Sequence, residues 1–379
     1  MRRIALKMLR GDRAKYLGLI FGVAFATLLM SQQVSIFVGI MARNASAIYS
    51  VTEPDLWVMD PRVRYIEEIE PMRQTELYTV RSVPGVHWAV PFYKGVSTIR
   101  MPDGLTQQVQ LIGVDDVTLV GMCPRMILGE ERAIQRPQLA IMDSAGFKFT
   151  WPGEPLQRGK AIELNDNRLI VDGICETMST FLTFPILFVS YTTALELTPP
   201  TRNKLPFILV KVAPGEDRAT VQKRIESVTG LQVLTQHEFA WRSISYILQR
   251  TGIPINFGIT ITLSVIIGAA ITGMTFYIFV IENLKQFGAM KAIGVTNRQL
   301  FSMVVSQALL VGTIGYSLGI GVTALFFHLT RNAPALRGFV LYWQVMLGVA
   351  SVIGLVILIS IVASLRKVFR LDPAMVFRG

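Results

Sequence analysis

The sequence predicts a membrane protein of mixed class, with four spanning α-helices arranged one plus three and a large α/β domain between the first and the second. Three observations predict it. First, no Asp, Glu, Lys or Arg occurs between Lys15 and Arg43, Arg250 and Glu282, Arg298 and Arg331, or Arg337 and Arg366. Each gap exceeds the ~20 apolar residues that cross a ~30 Å hydrocarbon core. Second, a long polar stretch, residues 43–250, separates the first gap from the second. Third, that stretch carries 22 Lys/Arg against 23 Asp/Glu, whereas the remainder carries 15 against 3, so nearly all of the net charge of +11 flanks the apolar segments.

The basic residues set the orientation. Arg2, Arg3, Lys7, Arg10, Arg13 and Lys15 precede the first span; Lys285, Lys291 and Arg298 lie between the second and third; Arg366, Lys367, Arg370 and Arg378 follow the fourth. Only Arg331 and Arg337 lie between the third and fourth. Short basic loops stay cytoplasmic. Both termini and the 282–298 loop are therefore expected inside, and the large domain outside. The positive charge is accounted for without a nucleic-acid partner.

Residues 1–15 suit a cytoplasmic amphipathic helix, with Ile4, Ala5, Met8 and Leu9 on one face and Arg3, Lys7 and Arg10 on another. Such a helix lies in the headgroup plane; a simple topology-setting cluster fits equally. The first span, 16–42, is far longer than the ~7–15 residues of a signal-peptide core, so it reads as a retained helix despite the small residues Ala45-Ser46-Ala47 after it. Gly18, Gly22 and Ala26 form a small-residue stripe on it, and Gly315 and Gly319 make a GxxxG in the third span. Small residues let helices approach closely, within one chain or between two. Combined with a two-fold partner, the first stripe predicts a homodimer. The spans 251–281, 299–330 and 338–365 complete the set, and none of the four contains Asp, Glu, Lys or Arg. Ion-coupled carriers usually keep such a charge for a relay, so these helices read as a scaffold for movement. His328 at the outer end of the third span reads as interfacial.

Motifs for other chemistry are missing from the sequence: there is no GxxxxGK[ST], HExxH or GxSxG, and Cys123 and Cys175 are the only cysteines. The chain is thus not itself a P-loop ATPase, no cofactor or metal is expected on it, and it is not expected to be an enzyme. The two cysteines read either as one disulfide or as two buried thiols. His87 and His237 stand alone in the sequence.

The most specific local signal is ENLKQFGAMKAIGVTNRQL, Glu282 to Leu300. Phe287, Met290 and Ile293 give an apolar flank with Lys285 and Lys291 among them. Gly294 suits the left-handed stop of a helix, and Thr296 with Gln299 forms a capping box opening the next. The predicted unit is a short cytoplasmic amphipathic helix, a tight turn and a spanning helix.

This loop resembles the coupling segment of the FtsX/MacB superfamily of ABC-transporter permeases, matching at Glu282, Phe287, Gly288, Lys291, Ala292 and Gly294. The chain end, with Asp372, Pro373 and Ala374, resembles that superfamily's terminal motif. DLWVMDP at 55–61, VLTQHEF at 233–239, GIPINFG at 252–258 and FHLTRNAPAL at 327–336 are similar to DevC-type permeases of heterocyst-glycolipid exporters. The resemblance implies a bacterial inner-membrane permease working as a homodimer. Its implied partners are a separate MacB/LolD-like ATPase carrying ATP and Mg, a periplasmic membrane-fusion adaptor and, in some systems, a TolC-like outer-membrane channel. The coupling segment, 282–298, would rest on the ATPase, with Phe287 and Met290 inserted in a groove and Glu282, Lys285 and Lys291 at its rim. The alternative within the superfamily is a regulator that activates a periplasmic hydrolase.

For the external domain the pattern predicts a helix at Glu76–Val83. It gives strands at Val86–Val90, Val96–Met101 and Gln108–Val114, then strand, helix, strand over Ile208–Val212, Glu216–Ser227 and Gln232–Leu234. The resemblance makes 55–121 and 201–237 a porter-like subdomain and 122–200 an inserted, strand-rich one. Ala42–Tyr49 and Glu238–Gln249 are expected to continue the first and second spans outward as a stalk. Residues 366–379 form a cytoplasmic tail.

Overall fold

The computed structural model describes residues 13–101, 103–182, 184–199, 205–331, 333, 336 and 338–369. Most of the expected N-terminal amphipathic helix, residues 1–12, and the motif Asp372, Pro373 and Ala374 lie outside the described residues. The chain forms two compact units, one comprising the chain up to Gly39 and from Gly252 onward, the other Ile40–Thr251.

The first unit is helical. Helix α1 runs Arg13–Tyr49 and contributes its first part here. Among the described residues four helices are long and apolar enough to cross a membrane: α1 and the later helices Ile253–Glu282, Asn297–Thr330 and Trp343–Phe369. One precedes the second unit in the chain and three follow it. Small residues bring them together. A Cβ at Gly22 would lie 2.8 Å from Ile271 Cγ2, and one at Gly268 would lie 2.5 Å from Ala26 Cβ, so α1 packs on the Ile253–Glu282 helix. A Cβ at Gly319 would lie 2.6 Å from the Ala24 carbonyl oxygen, and one at Gly315 would lie 3.0 Å from that of Ile20, so the Asn297–Thr330 helix meets the backbone of α1. Ser31 and Thr323 share a buried 2.7 Å hydrogen bond across the same contact. The stripe expected to serve a second copy is therefore used inside the chain at Gly22 and Ala26; Gly18 alone meets nothing within 4 Å.

Among the described residues the second unit is built on ten strands. In chain order they are β1 Leu56–Met59, β2 Val86–Arg100, β3 Thr106–Val114, β4 Arg125–Leu128, β5 Leu139–Asp143, β6 Lys160–Leu164, β7 Asn167–Glu176, β8 Ile186–Ser190, β9 Phe207–Val212 and β10 Gln232–Thr235. The order β10-β1-β9-β2 makes an antiparallel sheet. It is covered by apolar side chains of α2 Gln74–Ser82 and α5 Arg218–Thr229, of which Leu77, Val80, Val221 and Ile225 are buried. Beyond it β2, β3, β8, β5, β7 and β6 pair in a ring, closed by a short β2–β6 pairing of Ile99 with Leu164 and Arg100 with Glu163. The ring is filled by side chains such as Ile99, Val109, Met142, Leu164, Val171 and Leu187, all fully or almost fully buried. Helices α3 Ser144–Thr150 and α4 Tyr191–Glu196 are short additions to it.

Two expectations need correction here. The sequence suggested separate strands over Val86–Val90 and Val96–Met101, but β2 is one strand of 15 residues. Its first half pairs with β9 as far as Phe92 and its second half with β3 from Tyr93. Pro91 and Gly95 read as breaks in isolation, yet pairing on both sides carries the strand through them. The barrel therefore draws on residues from Tyr93 onward rather than beginning near 122.

The second concerns the stalk. Helix α1 continues to Tyr49, but α6, Gln236–Arg250, does not run on into α7, Ile253–Glu282. Thr251 is extended, with φ −118° and ψ 160°. Pro254 sits in the first turn of α7, where its missing N–H costs nothing and its fixed φ suits the start of a helix. Ala45 and Ala47 are buried inside α1, among the side chains of the second unit's core. Cys123 and Cys175 are both buried and are not joined in a disulfide.

Candidate functional site

The coupling segment folds as α8, Leu284–Ala292, followed by α9, Asn297–Thr330. Its termini are set by local chemistry. Gly294 adopts φ +94°, a left-handed conformation that costs a glycine no Cβ strain. Around it, Val295 N–H donates to the Met290 carbonyl and Gly294 N–H to that of Lys291, both at 3.0 Å. These are the paired bonds of a Schellman stop. Two residues on, Thr296 Oγ1 accepts from Gln299 N–H and the Gln299 side chain accepts from Thr296 N–H, a complete capping box. The chain thus ends one helix and starts the next within four residues.

The two faces of α8 differ. Phe287 is fully buried and Gly288 is buried with it. The Phe287 ring belongs to the helical unit's own core, in a cluster with Leu19, Phe276, Val280, Leu300 and Met303, and Met290 packs against that cluster. Gln286, Ala289, Ala292 and Ile293 are exposed, Ile293 to 81%. Glu282 is exposed and Lys291 partly so; the Lys285 side chain lies outside the described residues. The expectation that Phe287 enters a partner's groove is corrected: that ring is already covered by the chain itself. An apolar residue at a matching position can face either way, because a nine-residue amphipathic helix between two spans has both a protein side and a free side. The sequence placed Ile293 in the apolar flank but could not assign its direction.

Gly315 and Gly319 serve the α9–α1 approach, and Gly22 and Ala26 the α1–α7 approach. Among the described residues, no group of three or more His, Cys, Asp or Glu is placed to hold a metal.

One arrangement in the second unit escaped the sequence reading. Lys94 is 2% exposed and its Nζ donates to the Glu67 carboxylate. Gln110 Nε2 donates to the same carboxylate at 3.3 and 3.4 Å. Burial pulls the Lys94 ammonium below the ordinary lysine value, with Glu67 opposing. The signal available in the sequence was a single lysine within the apolar run AVPFYKGV.

Two known protein families match the chain. Residues 258–373 match the FtsX-like permease C-terminal family, and residues 16–228 match the MacB-like periplasmic core domain. An uncharacterised ABC transporter permease of Mycobacterium tuberculosis is 27% identical over 315 residues, covering 82% of this chain and 80% of the relative. A hemin transport system permease protein, HrtB, of Staphylococcus haemolyticus is 27% identical over 152 residues, 40% of this chain and 41% of that protein. The solved periplasmic region of MacB from Actinobacillus actinomycetemcomitans is 14% identical with a TM-score of 0.37, covering 54% of this chain and 96% of that one. With more than half of the chain, residues 16–228, matched by the MacB-like periplasmic core domain and residues 258–373 by the FtsX-like permease family, the chain belongs to the FtsX/MacB family of ABC-transporter permeases.

Proposed function

We propose that this permease belongs to an ATP-driven exporter of a lipid-like or otherwise hydrophobic cargo, and that it acts by transmitting closure of a separate ATPase to its external domain. It works as a homodimer in a bacterial inner membrane, with both termini and α8 cytoplasmic, and with a membrane-fusion adaptor and an outer-membrane channel beyond it. The likeness to DevC-type permeases supports the cargo class. The 16–42, 251–281, 299–330 and 338–365 segments span, and 43–250 works outside.

One observation carries the reading: α8 is rooted by the buried Phe287 while Ile293, Ala289 and Gln286 are free on its other side. A helix held by its own core on one face and bare on the other passes a push from the bare face into the helices behind it. In this arrangement Ile293 and Ala289 form the apolar centre of the ATPase contact and Glu282, Lys285 and Lys291 its rim. Apolar side chains at an interface centre commonly carry most of the binding energy, and rim charges less.

The test is Ile293→Asp beside Ile293→Leu, measured by recovery of the ABC ATPase that co-purifies with the natural chain. Burying an unpaired carboxylate at an interface centre is strongly unfavourable, so Ile293→Asp loses the ATPase while the chain still inserts and folds. Ile293→Leu retains it. Full ATPase recovery with Ile293→Asp overturns the proposed contact.

A further inference from the structure

Residues 60–71, between β1 and the Met72–Leu205 bridge, contain neither helix nor strand. They are nonetheless cross-linked at several points. Arg62 pairs with Asp60 at 2.9 Å and Glu70 at 3.0 Å, and Arg64 pairs with Glu68. Val63 N–H donates to the Asp60 carbonyl and Glu68 N–H to that of Tyr65, each at 3.0 Å. Val63 and Ile66 are fully buried beneath. Irregular backbone held this way behaves as a fixed body rather than as a loose loop.

The segment has two grips. Toward α6, the Tyr65 ring stacks on Tyr246 with centroids 4.5 Å apart and planes 4° from parallel. The Arg64 guanidinium lies 5.0 Å from the Tyr246 ring centre, and Ile66 N–H donates to the buried Ser243 hydroxyl at 3.2 Å. Toward the strands, the very next residue, Glu67, holds Lys94 and Gln110. Lys94 stands where β2 leaves its pairing with β9, after Phe92, and takes up its pairing with β3, from Tyr93. Gln110 is on β3, opposite Val96. The grip therefore falls on the passage from the antiparallel sheet to the barrel. Separating a buried pair leaves an uncompensated charge in a low-dielectric site, so this grip resists being pulled apart more than apolar contacts that can slide.

We propose that residues 60–71 form a rigid strap that fastens α6 to β2 at the junction of the sheet and the barrel, so that a displacement of α6 carries both as one body. Glu67 and Lys94 are positioning residues for that transmission. The inference rests on the mechanical reading above, because only Thr251 and Gly252 separate α6 from α7 along the chain. A static role for the pair would hold only its own neighbourhood; a strap makes its two ends respond to each other.

Hydrogen exchange on the full chain in lipid nanodiscs tests this without ATPase or cargo. Tyr246→Ala, at the α6 end, is expected to raise exchange at the β2–β3 amides around Lys94 and Gln110 at least about tenfold, leaving β6 and β7 unchanged. Glu67→Gln, at the other end, is expected to raise exchange across 243–247 of α6 by a similar factor. The exchanged pair Glu67→Lys with Lys94→Glu restores it. If each substitution loosens only its own end, the strap is refuted, and should Glu67→Gln fail to fold, Tyr246→Ala decides alone. A second measurement reads the transmission. Spin labels at the exposed positions Trp241 and Leu105 are expected to hold one separation with and without ATP in the complex with the co-purifying ATPase, and to spread into several in Tyr246→Ala. A wild-type separation that changes with ATP also refutes the strap. Failure of the Ile293 test would instead remove the ATPase contact and leave the exchange results standing.

Discussion

Replacing Gly319 by alanine probes the closest backbone approach in the helical unit. The added Cβ would sit 2.6 Å from the Ala24 carbonyl oxygen, 2.6 Å from Thr27 Cβ and 2.9 Å from Thr27 Cγ2. The carbonyl is backbone and cannot rotate away. Thr27 is fully buried and its hydroxyl donates to the Val23 carbonyl at 2.8 Å, which fixes its rotamer. Helix α9 must therefore retreat from α1, and the retreat stretches the 2.7 Å Ser31–Thr323 bond one turn away. Overpacking of this kind costs about 1–3 kcal/mol, and an interhelical hydrogen bond in a membrane protein averages about 0.6 kcal/mol. Glycine-to-alanine in a helix returns up to about 1 kcal/mol of propensity in water, so the comparison must carry the same term. Gly321→Ala does so, since a Cβ there meets nothing within 4 Å. The two variants should differ by about 2–3 kcal/mol, roughly a 30- to 150-fold change in the unfolding constant. Denaturant titration of the full chain in mixed micelles, followed by far-ultraviolet dichroism, measures the difference. Equal stability of the two variants would refute the close approach.

Two further predictions follow from the side chains described above. Phe287→Ala should destabilise the helical unit by about 3–5 kcal/mol in the same titration, because its ring is core rather than interface; wild-type stability with selective loss of the ATPase would show that the ring faces outward. In intact cells, Met290→Cys should be shielded from an impermeant maleimide and Gly104→Cys labelled, with the buried natural thiols Cys123 and Cys175 silent until the protein unfolds; labelling at position 290 from outside would reverse the orientation.

What the sequence determined by itself was whatever depends on neighbours along the chain. The uncharged gaps mark α1, α7, α9 and α10, Trp343–Phe369, because twenty or more apolar residues in succession need no tertiary information to be recognised. The stop at Gly294 and the capping box at Thr296 and Gln299 were legible for the same reason: each is a bond pattern closed within six residues. Tertiary structure decided the questions of direction. A helix as short as α8 has an apolar residue to offer on more than one side, and only the packed cluster around Phe287 shows that Ile293 is the one left free. The stripe at Gly22 and Ala26 fits any close partner, and the choice of α7 is made by Ile271 and Gly268, about 250 residues away in the chain. Strand β2 reads as two pieces locally because Pro91 and Gly95 weaken strand propensity; pairing to β9 on one half and β3 on the other overrides them. Likewise, the lone Lys94 became intelligible only when Glu67 was brought to it from an irregular segment 27 residues earlier, since a buried charge is tolerated only where the fold delivers its partner.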